Sequence, residues 1–315
     1  MKIILAPMEG VVDPPMRELL SGLGGIDLCV TEFVRVSDRV LPAKVFHRLS
    51  PELANGGRTR HGTPVLLQLL GSDPQVMAGN ARKAAKLGAP GIDLNFGCPA
   101  KTVNKNRGGA VLLQQPDEVY RIVEAVRAAV PAEVPVTAKM RLGYADKSLA
   151  LDNARAIEAG GADGLAVHAR TKVEGYRPPA HWEWIARIRN EVSLPVTANG
   201  EVWNYDDYLR CREVSGCQDV MIGRGLIARP DLALQIKREQ QGEASPPLSW
   251  RQICQLLLDY LALVEVSAPG YVHGRIKQWL HMMKRSYPQV ETLFLTLKTL
   301  KEPQAVRNAL QQAIG

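Results

Sequence analysis

No Cys-x-x-Cys pair occurs among the five cysteines, Cys29, Cys98, Cys211, Cys217 and Cys254. Their odd number and scatter argue against a disulfide framework and against a zinc site, so a reducing, cytoplasmic setting without bound metal is expected. Long apolar runs are missing too: the best stretch, 256–266, is cut by Asp259 and Glu265, which excludes a membrane span there. The opening residues, 1–7, form too short an apolar run for a signal peptide and meet Glu9 at once. With 46% hydrophobic and 23% charged residues, neither disorder nor fibrous structure is the theme. The 315 residues allow two domains, or one α/β barrel of about 250 residues with an appendage. Thirty-nine Lys and Arg against 32 Asp and Glu leave a formal +7, which favours a polyanionic partner such as nucleic acid.

What is present is a degenerate repeat. Pro64-Val65-Leu66-Leu67-Gln68, Pro135-Val136-Thr137-Ala138-Lys139 and Pro195-Val196-Thr197-Ala198-Asn199 share one template, a short apolar or β-branched run ending on a polar side chain. A second template, in which a helix stops at Gly and a buried strand begins, recurs at 87–95, 159–168 and 215–223. Adding 3–6 and 28–32 gives eight strands, separated by helical patterns at 75–87, 116–130, 150–159 and 204–215. This reads as a (β/α)8 TIM barrel. A doubly wound sheet is the competitor, because Gly223-Arg224-Gly225-Leu226-Ile227-Ala228 fits G-x-G-x-x-A. That motif lies at the last strand, however, with no acidic strand end about 20 residues on. The polar, Pro-rich break at 240–247 separates an expected catalytic barrel, 1–242, from a C-terminal all-α helical bundle, 243–315. Ser249 and Gln252 form a capping-box signature at its start, and amphipathic stretches follow at 272–283, 290–300 and 305–314.

In such a barrel the catalytic face lies at the C-terminal ends of the strands. Those ends carry Ala6-Pro7-Met8, Glu32, Gln68, Asn95 with Cys98, Lys139 with Arg141, His168 with Arg170, Asn199-Gly200 and Gly223-Arg224-Gly225. Any one of them has a rim-capping role as its bland explanation, but so many together are hard to explain as packing. Gly200, Gly223 and Gly225 expose backbone N–H groups where the last two loops of a barrel hold phosphate, and Arg224 adds a charged fork. Lys139 and Gln68 supply a cation and an amide suited to the polar edge of a planar ring. A phosphate plus a flat heterocycle suggests flavin mononucleotide (FMN), with a Schiff-base aldolase using Lys139 as the rival. Cys98 sits in the tight Asn95-Phe96-Gly97-Cys98-Pro99 turn, where a mostly protonated thiol is able to donate a proton as well as attack.

These residues resemble the tRNA-dihydrouridine synthases. The resemblance covers essentially the whole chain and rests on Ala6-Pro7-Met8-Glu9-Gly10, Gln68-Leu69-Leu70-Gly71, the Cys98 turn, Lys139-Met140-Arg141-Leu142-Gly143, His168-Ala169-Arg170-Thr171, Ala198-Asn199-Gly200 and Met221-Ile222-Gly223-Arg224-Gly225. His168-Ala169-Arg170 departs from the family's His-Gly-Arg by one small residue. The segments 31–36 and 275–280 look like the bacterial C-type subfamily, whose target is the D-loop uridine numbered 16. The resemblance implies FMN bound by Pro7, Met8, Glu9, Gln68, Lys139, His168, Asn199, Gly200, Glu201, Gly223 and Arg224. It further implies NADPH as reductant, and hydride delivered to uracil C6 while Cys98 protonates C5. Asn95 is then expected to orient the uracil and Arg141 to contact substrate.

Reaching a base inside folded tRNA requires turning it out, and hence backbone contacts around the mouth. Arg35, Arg39, Lys44 and Arg48 follow strand two; Lys101, Lys105 and Arg107 follow Cys98; Arg170, Lys172 and Arg177 follow strand six. From 275 to 301, Arg275, Lys277, Lys284, Arg285, Lys298 and Lys301 face one acid, Glu291. Arg35, Arg170, Arg275 and Lys277 are the foremost candidates for tRNA phosphate. Trp279 shares the spacing of core residues Ile276 and Leu280, with base stacking as the alternative. A monomer is expected. A small-molecule flavin reductase of the dihydroorotate type and a non-catalytic RNA-binding protein are the other classes compatible with parts of this pattern.

Overall fold

The computed structural model describes residues 1–314. Its strands are β1 (Ile3–Leu5), β2 (Leu28–Val30), β3 (Val34–Arg35), β4 (Val65–Leu70), β5 (Ile92–Phe96), β6 (Val136–Arg141), β7 (Gly164–His168), β8 (Val196–Asn199) and β9 (Val220–Ile222). Between and after them lie α1 (Pro14–Gly22), α2 (Ala43–Leu49), α3 (Pro74–Lys86), α4 (Lys101–Lys105), α5 (Pro116–Ala129), α6 (Ala150–Ala159), α7 (Trp182–Glu191), α8 (Tyr205–Ser215), α9 (Arg224–Ala228) and α10 (Leu232–Gln240). The chain continues through α11 (Trp250–Ser267), α12 (Val272–Met283), α13 (Val290–Leu297) and α14 (Pro303–Gln312).

All strand pairings are parallel, and β1 pairs with both β2 and β9 while β2 pairs with β4, so the sheet closes on itself. Closure excludes the doubly wound alternative and removes the exposed edges an open sheet would carry. The one addition to the eight expected strands is β3. After residues 31–33, which leave the ladder and bury Phe33, Val34 and Arg35 rejoin it opposite Leu69 and Leu70.

Local chemistry explains the helix boundaries. Asp13, Asp73 and Asn204 accept from the N–H groups of Met16, Val76 and Asp207, capping α1, α3 and α8. The Ser249–Gln252 capping box starts α11. In α5, Val119, Ile122, Val123 and Val126 are buried at helical spacing, with acids in the first turn and Arg127 in the last.

Strand alternation sets the inside of the barrel. Leu67, Leu69, Ile92, Leu94, Ala138, Met140, Val167 and Ala198 face the helices in the main core. A small cluster of Ile4, Ala6, Val30, Leu66, Ala166 and Met221 forms a separate apolar core. Ala169, the departure from the family's glycine, is fully buried in the main core, so its methyl group is accommodated. After α10, α11 packs against α1, and α12 against α9. Trp279 is buried edge-on to Tyr260 and donates Nε1–H to the Ile227 carbonyl at 2.9 Å, which makes it core and not a stacking platform.

Candidate active site

The strand ends open into a cavity of about 460 Å³, a size typical of a small-ligand site. Pro7, Met8, Glu9, Gln68, Asn95, Cys98, Lys139, Arg141, His168, Asn199, Gly200, Glu201, Gly223 and Arg224 all line it.

A chain of hydrogen bonds fixes the floor. Asp93, buried among apolar strands, accepts from Gln68 Nε2 at 2.7 Å and Thr137 Oγ1 at 2.6 Å. Gln68 Oε1 accepts from Asn95 Nδ2 at 2.8 Å, and Asn95 Oδ1 accepts from the N–H groups of Gly97 and Cys98, each at 2.9 Å. The network defines which way each amide faces, and it leaves Asn95 one spare N–H. Burial raises the Asp93 and Cys98 pKa values, so Cys98 stays a thiol at neutral pH.

Beside Asn95 on the neighbouring strand lies Lys139, whose ammonium donates to Asn199 Oδ1 at 3.1 Å and keeps two further N–H groups. Burial lowers its pKa to about 8, with the Arg141 charge pushing the same way. His168 is held neutral, well below its ordinary value, by burial and by Arg141 and Lys139; its buried Nδ1 has no partner among the described residues.

At the other end, α9 begins without a side-chain cap, so the first-turn N–H groups of Arg224 and Gly225 are free of intrahelical partners. Gly225 is required there, because a Cβ would meet the Val202 carbonyl at 2.1 Å. Glu201, in the left-handed region at φ 59, bonds Arg170, lies 3.6 Å from Arg224 and accepts from Trp203 Nε1 at 2.8 Å. Burial works against its ionisation, but those hydrogen bonds and charges win and hold its carboxyl below the ordinary range. A phosphate-sized anion would meet two backbone donors and the Arg224 fork at this end.

Four charged candidates stand outside the cavity lining. Arg35 is an exposed rim residue, 4.0 Å from Glu9. Arg170 is fully buried, tied to Glu201 and to the carbonyls of Arg177 and Pro179, so it offers no surface to a phosphate. Lys277 caps the end of α13 by donating to the Lys298 and Leu300 carbonyls at 2.9 and 2.7 Å. Arg275 is engaged with Asp13, Gly10 and Val11. For the last three, internal partners replace the expected contact with substrate.

The motif pattern missed Tyr176, Trp203 and Met282, which also line the cavity. Tyr176 is half-exposed, with the Arg141 and Arg224 guanidinium carbons 5.2 and 4.8 Å from its ring centroid. Trp203 lies between Arg224, at 4.9 Å, and Arg285, at 4.1 Å. No short-range signal marks Tyr176 and Trp203, because the loops carrying them have neither period nor motif, and Met282 lies on the amphipathic helix α12, whose spacing does not tell a cavity-lining residue from a core one.

The Tyr176 loop is strapped down. Arg141 donates to the Thr171 and Gly175 carbonyls, and Glu174 accepts from Lys147 at 2.7 Å and the Thr171 N–H at 2.6 Å. Burial opposes ionisation of Glu174, yet the Lys147 and Thr171 bonds and the Lys147 and His181 charges prevail and hold its pKa at about 2. A depressed carboxylate pKa contributes stability that is present above the ordinary value of 4.5 and lost as pH falls through about 2. Glu174→Gln is therefore expected to destabilise the protein by about 1 kcal/mol at neutral pH, after allowing for solvent screening. The gap from wild type should narrow from pH 4.5 downward in denaturant titrations; a pH-independent gap would contradict the ion-pair origin.

A family model described as dihydrouridine synthase (Dus) matches residues 4–314. The tRNA-dihydrouridine(16) synthase of Aquipseudomonas alcaligenes is 59% identical over 299 residues, covering 95% of this chain and 95% of that protein. The protein of the same name from Pseudomonas putida is 56% identical over 299 residues, covering 95% and 93%. Among solved structures, histamine dehydrogenase from Rhizobium sp. 4-9 matches with a TM-score of 0.56 at 15% identity, over 83% of this chain and 49% of that one, a likeness of fold alone. The full-length family match and the identity to these relatives agree: the chain belongs to the dihydrouridine synthase family.

Proposed function

We propose that this chain reduces uridine 16 in the D loop of tRNA to 5,6-dihydrouridine, using bound FMN and NADPH. The observation that carries the reading is the convergence of a protonated thiol, a spare amide N–H and a buried ammonium on one cavity, in a chain more than half identical to proteins named for that reaction.

The cavity suits a flavin. The spare N–H groups of Lys139 and the uncapped turn at Arg224 and Gly225 are donors awaiting acceptors along its length, and the unpartnered His168 Nδ1 donates or accepts according to tautomer. In this reading Arg224, Gly200 and Gly223 hold the phosphate, Lys139 and Gln68 the polar ring edge, and Met8 one face. When bound, the flavin supplies hydride, drawn from NADPH, to C6 of the pyrimidine. Lys139 stabilises negative charge at the ring edge. Asn95 donates its free N–H to the uracil and, through Oδ1, fixes the backbone that carries Cys98. Arg141 and the Tyr176 ring hold the everted base, and Cys98 delivers its proton to C5. Residues 243–315 serve as the tRNA-recognition unit, and exposed Arg35, Lys101, Lys105, Arg107, Arg177 and Arg285 hold the backbone around the mouth.

Purified protein supplied with FMN, NADPH and unmodified tRNA should yield dihydrouridine at position 16. Conversion of free uracil derivatives without tRNA, or conversion at another position, would overturn the assignment. Affinity for tRNA should fall steeply with salt, and Arg35→Ala should lower the slope of log affinity against log salt by roughly 0.7–0.9; an unchanged slope removes Arg35 from the contact set.

A further inference from the structure

The turn that follows β1 is gripped from two sides. Gly10 donates its N–H to the Glu32 carboxylate, just beyond β2, while its carbonyl accepts from Arg275 and, at 2.9 Å, from Gln278, both on α12. Arg275 also donates to the Val11 carbonyl at 3.0 Å and pairs with Asp13 at 2.6 Å. Its side chain is only 16% exposed, and both terminal nitrogens are occupied by the protein.

The gripped segment has no regular secondary structure between β1 and α1, yet it presents Pro7, Met8 and Glu9 to the cavity. The N–H groups of Val11 and Val12 both donate to the Met8 carbonyl at 3.0 Å, so a displacement of Gly10 carries Met8 with it. The two peptide groups that flank the Gly10 Cα are thus each tied to a charged side chain, the preceding one through its N–H and the following one through its C=O, and turning either breaks a charge-assisted bond. The same helix, α12, also contributes Met282 to the cavity wall.

We propose that Arg275 and Gln278 are positioning residues that hold the Met8 turn against the cofactor cavity from the side of the C-terminal helices, with Glu32 fixing the same residue, Gly10, from the barrel side. The proposal rests on the flavin reading above. It assigns to Arg275 a task distinct from phosphate contact, one that links the C-terminal helices to the cofactor pocket.

The test uses the full chain carrying Arg275→Gln or Gln278→Leu. Three quantities are read: the FMN dissociation constant by fluorescence, the visible spectrum of bound FMN, and the salt slope of tRNA affinity. FMN affinity should fall about tenfold in Arg275→Gln and less in Gln278→Leu, with an altered spectrum and an unchanged salt slope. The FMN-dependent gain in Tm should shrink in both variants. Unchanged FMN affinity and spectrum overturn the proposal. With a slope reduced by roughly 0.7–0.9 they identify Arg275 as a phosphate contact; with an equal loss of Tm in the presence and absence of FMN they leave Arg275 a structural tie. If Arg275→Gln does not fold, Gln278→Leu, which keeps the Asp13 ion pair, carries the decision. A wild-type chain that takes up no FMN removes the functional reading along with the clamp. Wild-type uptake with indifferent variants removes the clamp alone.

Discussion

Cys98→Ala should retain FMN and accept electrons from NADPH at the wild-type rate, while tRNA-dependent reoxidation slows by about 10²–10⁴-fold. The thiol lines the cavity, its backbone is fixed by Asn95, and burial keeps its proton in place at neutral pH. Removing it deletes the proton donor without touching Lys139, Gln68 or the Arg224 turn. Stopped-flow absorbance with and without tRNA separates the two half-reactions. Wild-type reoxidation in the variant would exclude Cys98 from the chemistry, and loss of FMN would mean that it acts in binding.

Lys139→Met is expected to have opposite effects on activity and on stability. Removing one preorganised donor from a site where negative charge develops costs about 10²–10³-fold in rate. Stability moves the other way. The unfolded chain holds this proton up to about 10.5 and the folded chain only to about 8, so a buried charge is carried at pH 7. Between those values the unfolded state binds more protons, and wild-type stability rises with pH. The apolar replacement should therefore stabilise the FMN-free protein by about 2 kcal/mol near neutrality, an advantage that fades above pH 8. In the FMN-free wild-type protein the charged fraction of Lys139 should likewise decline as pH rises through about 8. Denaturant titrations at two pH values, beside single-turnover rates, check both halves. A variant that is both less stable and fully active would refute this role.

Much of the barrel was legible because its signals are local. Gln68, Asn95, Lys139, His168 and Asn199 each place a polar side chain in the last three residues of a strand, and closure of the sheet brings all five to one cavity. Asp73-Pro74, Asn204 and Ser249 mark helix starts because a cap is a contact within three residues. The charged residues were less legible. Arg275 meets Asp13, Lys277 meets the carbonyls closing α13, and Arg170 meets Glu201; none of these partners is near in sequence, and each turns an apparent phosphate ligand into an internal tie. Tyr176 and Trp203 carry no sequence signal for a related reason. An aromatic in an irregular loop acquires meaning only from the guanidinium groups folded against it.

The burial of Trp279 beneath the end of α9, together with the seating of α11 on α1, has a practical corollary for anyone building chimeras from two members of the family. Cutting at the polar break near 242 and grafting foreign helices would leave an indole socket and an apolar helix flank mismatched to their new cover. Exchange of substrate preference between relatives should succeed only when the receiving surfaces of α1 and α9 travel with the graft, and a bare barrel fragment should prove sticky and poorly expressed.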